Sequence, residues 1–115
     1  MSNGGFFDGS GVVTNYHLSD PNSIWYETES VDEIIMFTDS NSNQRSVNDW
    51  QIFADNTSLL VQLVRLDDND GAKILVSDTI CILAGDSWGD GRIKIQGIKI
   101  LGDAGQRVRY IGNYY

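Results

Sequence analysis

The chain reads as an all-β protein: a small antiparallel β-sandwich or β-barrel, with room for one short helix. Three observations predict this. Short runs rich in Ile, Val, Tyr and Trp recur along the chain, separated by clusters of Gly, Asp, Asn and Ser. Twelve glycines against a single proline suit many tight turns. Helical signals are weak, with Pro21–Ser30 and Ser46–Phe53 as the two candidate segments.

Taken in order, Met1–Ser10 is rich in Gly and Ser and reads as a loose N-terminal arm, with Phe6 and Phe7 as docking anchors. Residues 11–115 read as one β domain. Strands are expected at Val12–Leu18, Ile24–Glu27, Val31–Phe37, Trp50–Ala54, Leu59–Leu66, Lys73–Val76, Thr79–Leu83, Arg92–Gln96, Ile98–Leu101 and Gln106–Ile111. Leu66–Gly71 reads as a hairpin loop closed by Asp-Gly, and Gly85–Gly91 and Gly102–Gly105 read the same way.

Two segments carry more than a strand signal. In Leu59–Leu66, Leu59, Val61 and Leu63 fall on one face and Leu60, Val64 and Leu66 on the other, with Gln62 the polar exception there. A strand apolar on both sides expects cover on both, from a second layer or a partner subunit, and Ile34-Ile35-Met36-Phe37 reads likewise. Around Gly97 the alternation slips by one residue. Ile93 and Ile95 are odd-numbered, whereas Ile98 and Ile100 are even, and a glycine is where a bulge or bend absorbs such a slip.

Charge is unevenly distributed. Met1–Gln44 holds seven acids and no Lys or Arg, whereas Arg92–Tyr115 holds five bases (Arg92, Lys94, Lys99, Arg107 and Arg109) and one acid. If the last strands are neighbours, these five bases share one sheet face and form an interface for an acidic partner surface.

Composition bounds the rest. A chain of 115 residues makes one domain and buries roughly 65% of its unfolded surface. A net charge of −8 disfavours nucleic acid and membrane surfaces as partners. Met1–Phe7 lacks a basic, then apolar, leader pattern, and no run approaches the length of a membrane-spanning helix, so cytoplasmic synthesis is expected. The single cysteine, Cys81, excludes an intrachain disulfide and paired-cysteine zinc sites. Within Ile80-Cys81-Ile82-Leu83 it reads as a small buried hydrophobe.

Chemistry is hard to place on this chain. His17 is the only histidine, and a nucleophile–base–orienter set has too few members to draw on. Asp39–Asn43 matches the first half of an EF-hand loop, but Gln44 stands where that loop needs Gly and Trp50 where it needs a bidentate Glu. No catalytic residue, cofactor or metal ligand is therefore expected. The leading expectation is a non-enzymatic assembly protein that packs on itself or on a larger lattice. Its size and all-β style suggest, by analogy alone, a virion component such as a capsid decoration or tail protein. The alternative is a carbohydrate-binding module, with Trp88 stacking on a sugar face and Asp86 and Asp90 taking its hydroxyls.

Overall fold

The computed structural model describes residues 25–38 and 43–114. The expected arm with Phe6 and Phe7, the expected strand Val12–Leu18, His17 and residues 39–42 lie outside them.

The described residues form nine strands: β1 (Tyr26–Glu27), β2 (Glu33–Met36), β3 (Val47–Ala54), β4 (Leu59–Leu66), β5 (Ile74–Val76), β6 (Ile80–Ile82), β7 (Ser87–Asp90), β8 (Gly97–Leu101) and β9 (Arg107–Tyr114). They form two antiparallel sheets. One has four strands in the order β1-β9-β3-β7; the other has β2-β8-β4-β5, with β6 also paired to β4. The architecture is therefore a β-sandwich. No helix occurs among the described residues, and the candidate segment Ser46–Phe53 is instead most of β3.

The core lies between the sheets. Trp50, Ile52, Val108 and Tyr110 enter it from the four-stranded sheet, and Ile35, Leu59, Val61, Ile98 and Ile100 from the five-stranded one. These residues follow the period of two that a half-buried strand imposes: 50, 52 and 54 in β3, 59, 61 and 63 in β4. Phe37 and Tyr110 stack across the core with centroids 5.5 Å apart.

The sheets are stitched together at one end. Val47 and Ile95 exchange both backbone hydrogen bonds, and Gln96 donates its N–H to Val64 O while its carbonyl accepts from Phe37. The segment 93–96 thus spans the gap between β3 and β4. It is an irregular connection with a single bridge at Ile95, not the expected strand Arg92–Gln96. The apolar slip falls where the sequence placed it. Ile95 is buried before Gly97, and Ile98 and Ile100 are buried after it.

The connection between β8 and β9 corrects another expectation. Gly102–Gly105 does not close a hairpin; it carries the chain from one sheet to the other. Gly102 and Gly105 both have positive φ (113° and 93°), and the Asp32 carboxylate accepts the Gly102 N–H at 2.7 Å.

Near the start of the described chain, the Glu33 carboxylate gathers a turn. It accepts hydrogen bonds from the backbone N–H of Glu29 and of Ser30, and from the Tyr26 hydroxyl. Burial, and then this bond to a carboxylate, push the Tyr26 phenol well above its ordinary value of 10.0. The unfolded chain therefore releases this proton first as pH rises, so the stabilising contribution is complete below about pH 10 and declines above it. Urea midpoints at pH 9 and pH 11 should differ more in the parent protein than in Tyr26→Phe; equal differences would discount this hydroxyl.

Candidate functional site

The two outer faces of the sandwich differ sharply. On the four-stranded sheet, β9 presents Arg107 and Arg109, β3 presents Gln51 and Phe53, and β7 presents Ser87 and Gly89, as the registers require. Ile111 and Phe53 are apolar members of this face, and several of its polar groups are partnered within it. Arg107 pairs with Asp55 at 3.3 Å and lies over Trp25, and Arg109 lies over Phe53 with its guanidinium carbon 5.2 Å from the ring centroid. Gln51 donates to Ser87 Oγ at 2.8 Å.

The outer face of the five-stranded sheet is a set of cross-strand rows. Cys81, Leu60 and Leu101 form one, and Gln62, Lys99 and Ile34 the next. Val76, Val64, Gly97 and Met36 form the third, and Ile74 and Leu66 the fourth. Gln62 and Lys99 are the polar members of these rows. Several of the apolar members meet solvent: Leu60 is 47% exposed, Val76 47%, Ile74 43% and Ile34 38%. A monomer's sheet normally alternates apolar inside with polar outside, as the four-stranded sheet largely does. Exposed apolar side chains gathered on one sheet face are what interaction surfaces are commonly made of.

Gly97 leaves room on this face for the Ile35 carbonyl and the Met36 side chain. Its φ lies outside the left-handed region, so space rather than backbone conformation demands the glycine. A Cβ there would stand 2.5 Å from Ile35 O and 2.9 Å from Met36 Sδ.

Cys81 is exposed on this face, beside Leu60 in register. This corrects the expectation of a buried cysteine. Alternation within β6 sends Ile82 into the core and Cys81 outward.

The five bases are not brought together. Lys99 sits among the apolar rows of one sheet, and Arg107 and Arg109 lie on the outer face of the other. Arg92 and Lys94 belong to the connection between β7 and β8. The shared basic face is corrected accordingly, because β8 and β9 are not neighbours.

Comparison with known proteins gives no significant match to any family model, curated protein or solved structure.

Asp86, Trp88 and Asp90 occupy a strand and its approach rather than the expected loop tip. Trp88 pairs in register with the core residue Ile52 and packs edge-on against Trp50, with centroids 4.8 Å apart at 71°. Its ring is half-buried against the core. Asp90 Oδ1 accepts the N–H of Arg92 at 2.6 Å and of Ile93 at 3.1 Å, and these two bonds hold its carboxyl below the ordinary range. Asp86 is exposed, one residue before β7. The Trp88 ring thus serves the core and the Asp90 carboxylate a turn. The other acidic turn is similar: Asp67 and Asp70 accept the N–H groups of Asn69 and Ala72 across Leu66–Lys73. No cluster of three or more metal-ligating side chains occurs among the described residues.

Sequence reasoning identified the apolar second side of β4 but not the whole face. Ile34-Ile35-Met36-Phe37 also reads as apolar on both sides, which accounts for Ile34 and Met36; the missing members, Ile74, Val76 and Leu101, come from strands whose neighbours the sequence does not state. Their common signal is apolar residues at both odd and even positions of a short strand.

Proposed function

We propose that this chain is a non-enzymatic assembly protein that associates with a second copy of itself through the outer face of its five-stranded sheet. The observation that carries this reading is the apolar surface formed by Ile34, Leu60, Ile74 and Val76 around Val64. A two-fold interface uses the same patch on both copies, so one apolar face supplies both halves of the contact. Lys99 is half-buried in register between Gln62 and Ile34, and a lysine so placed can cover apolar surface with its alkyl stem. A lattice such as that of a virion, with this chain as decoration or tail protein, is the kind of assembly its size and style suggest by analogy.

The second reading, carbohydrate binding at Asp86, Trp88 and Asp90, draws less support. A sugar-stacking ring needs a free face, and Trp88 spends its ring on Trp50 and the core.

Light scattering after size exclusion tests the assembly reading. The parent protein should run above its 12.8 kDa monomer mass, and Leu60→Asp should run as a folded monomer. A carboxylate at the centre of an interface costs about 2 kcal/mol or more, roughly a thirty-fold loss of affinity. Because the contact is apolar, it should survive raised salt. A monomer for the parent protein at every concentration and salt would overturn self-association.

A further inference from the structure

Two clefts of about 310 Å³ each open on either side of the irregular segment 93–96. One is apolar, lined by Leu63, Leu75, Val76, Ile93 and Ile95. The other is polar and brings together Arg45, Arg65 and Lys94, with Asp67 and Asp68 at its border. Side chains of the segment alternate between them: Ile93 and Ile95 enter the apolar cleft, Lys94 and Gln96 the polar one. Arg65 lines both.

The arrangement is held in place by the fold. Gln96 accepts the Leu66 N–H through Oε1 at 2.8 Å and donates through Nε2 to Ser46 Oγ at 2.8 Å, so the polar wall is fixed from β4 and from the approach to β3. Trp50 Nε1 donates to Ile93 O at 2.8 Å and anchors the apolar wall. Three of the eight bases in a chain of net charge −8 converge here from three separate stretches of sequence. Among the described residues they outnumber the two bordering acids, and Asp67 already spends one oxygen on the Asn69 N–H. Beside them, Leu75 and Ile93 leave apolar surface open, at 41% and 44% exposure.

We propose that the paired clefts form one binding site for a small amphipathic anion. Its apolar body lies against Leu63, Leu75, Ile93 and Ile95, and its acidic head meets the Arg65 guanidinium, with Lys94 and Arg45 adding positive potential. The charge complementarity is what selects this ligand class: a planar guanidinium at the edge of an apolar cleft suits a carboxylate carried on a short hydrocarbon. The size of the clefts, at the small end for ligand sites, limits the body to a short chain or single ring. The clefts border the self-association face at Leu66 and Val76, but the proposal does not depend on that face.

Amide-resolved NMR titration tests it with three probes: octanoate, 1-octanol and acetate. Octanoate should give saturable shifts at Arg65, Leu75 and Ile93–Gln96, with 1-octanol and acetate each at least ten-fold weaker. Arg65→Leu, a change at an exposed position, should weaken octanoate ten-fold or more and leave 1-octanol unchanged, with amide dispersion reporting an intact fold. Equal binding of octanoate and 1-octanol, no loss in Arg65→Leu, shifts centred on Leu60 and Ile34, or no saturable shift at all would each overturn the proposal.

Discussion

Gly97→Ala should destabilise this protein by about 3 kcal/mol, at the upper end of what overpacking costs. The added methyl would stand 2.5 Å from the Ile35 carbonyl oxygen, inside contact distance of a backbone atom. That carbonyl belongs to β2, whose pairing to β8 places Ile35 opposite Ile98 and Met36 opposite Gly97. The clash can be relieved only by parting the two strands or shifting their register. A one-residue shift would turn Ile98 and Ile100 out of the core, so parting the strands is the cheaper response. Met36 Sδ, 2.9 Å from the same point, yields more readily because it ends a flexible side chain. Thermal unfolding should therefore fall by roughly 10 °C or more, at several degrees per kcal/mol for a domain of this size. A variant that melts with the parent would mean that β2 and β8 are not packed as described. The paired variant Gly97→Ala/Met36→Ala should recover little, because the backbone clash remains.

Trp50→Ala should cost about 3–5 kcal/mol, the range for emptying a large aromatic site. Trp50 is 3% exposed and closes one end of the core. It sits just after Asp49, where positive φ (51°) and a break in the β3–β9 register between Asn48 and Gln51 form a bulge. Its indole N–H is bonded to Ile93 O, and its ring carries the edge contact with Trp88. Removing it leaves a cavity, an unanswered carbonyl and a Trp88 ring without its edge contact. With native domains stable by only about 5–15 kcal/mol, such a loss should unfold a measurable fraction at 37 °C. Trp50→Phe should restore packing but not the hydrogen bond, and should fall between the two. Urea denaturation of the three proteins checks the order; a Trp50→Ala midpoint equal to that of Trp50→Phe would remove the cavity from the account.

How much of this was legible in the sequence depends on the range of the interaction. The ends of β4 coincide with the apolar run Leu59–Leu66, because a strand paired on both sides fixes every residue of its pattern. The slip at Gly97 was legible for the same local reason. β7 was not. Its Ser-Trp-Gly-Asp is bordered by Gly85 and Gly91, so turn signals outweigh the single Trp, and the strand exists because β3 offers it a paired edge. Gly89 helps, since a Cβ there would meet Trp50 O at 2.5 Å.

Sheet membership lay beyond local reading altogether. The alternation in Lys99 and in Arg107 and Arg109 looks the same whether β8 and β9 are neighbours or, as found, belong to different sheets. The gathering of the bases depended on that choice. Cys81 failed through a related ambiguity. An apolar run names no inner side until the strand is paired, and pairing to β4 puts Cys81 with Leu60 on the outside. On the proposed self-association, a second copy would relieve the cost of that outward apolar surface.

Cys81 also offers the most direct test of the central claim, since it is the chain's only thiol and lies within the proposed contact. The measurement is its alkylation rate as a function of protein concentration, in the parent protein and in Leu60→Asp. Association through the outer face of the five-stranded sheet predicts a rate that falls as the parent protein is concentrated, and a fast, constant rate in Leu60→Asp. A parent rate that stays fast and constant across the concentrations at which light scattering detects the oligomer would contradict it, and would place the contact elsewhere.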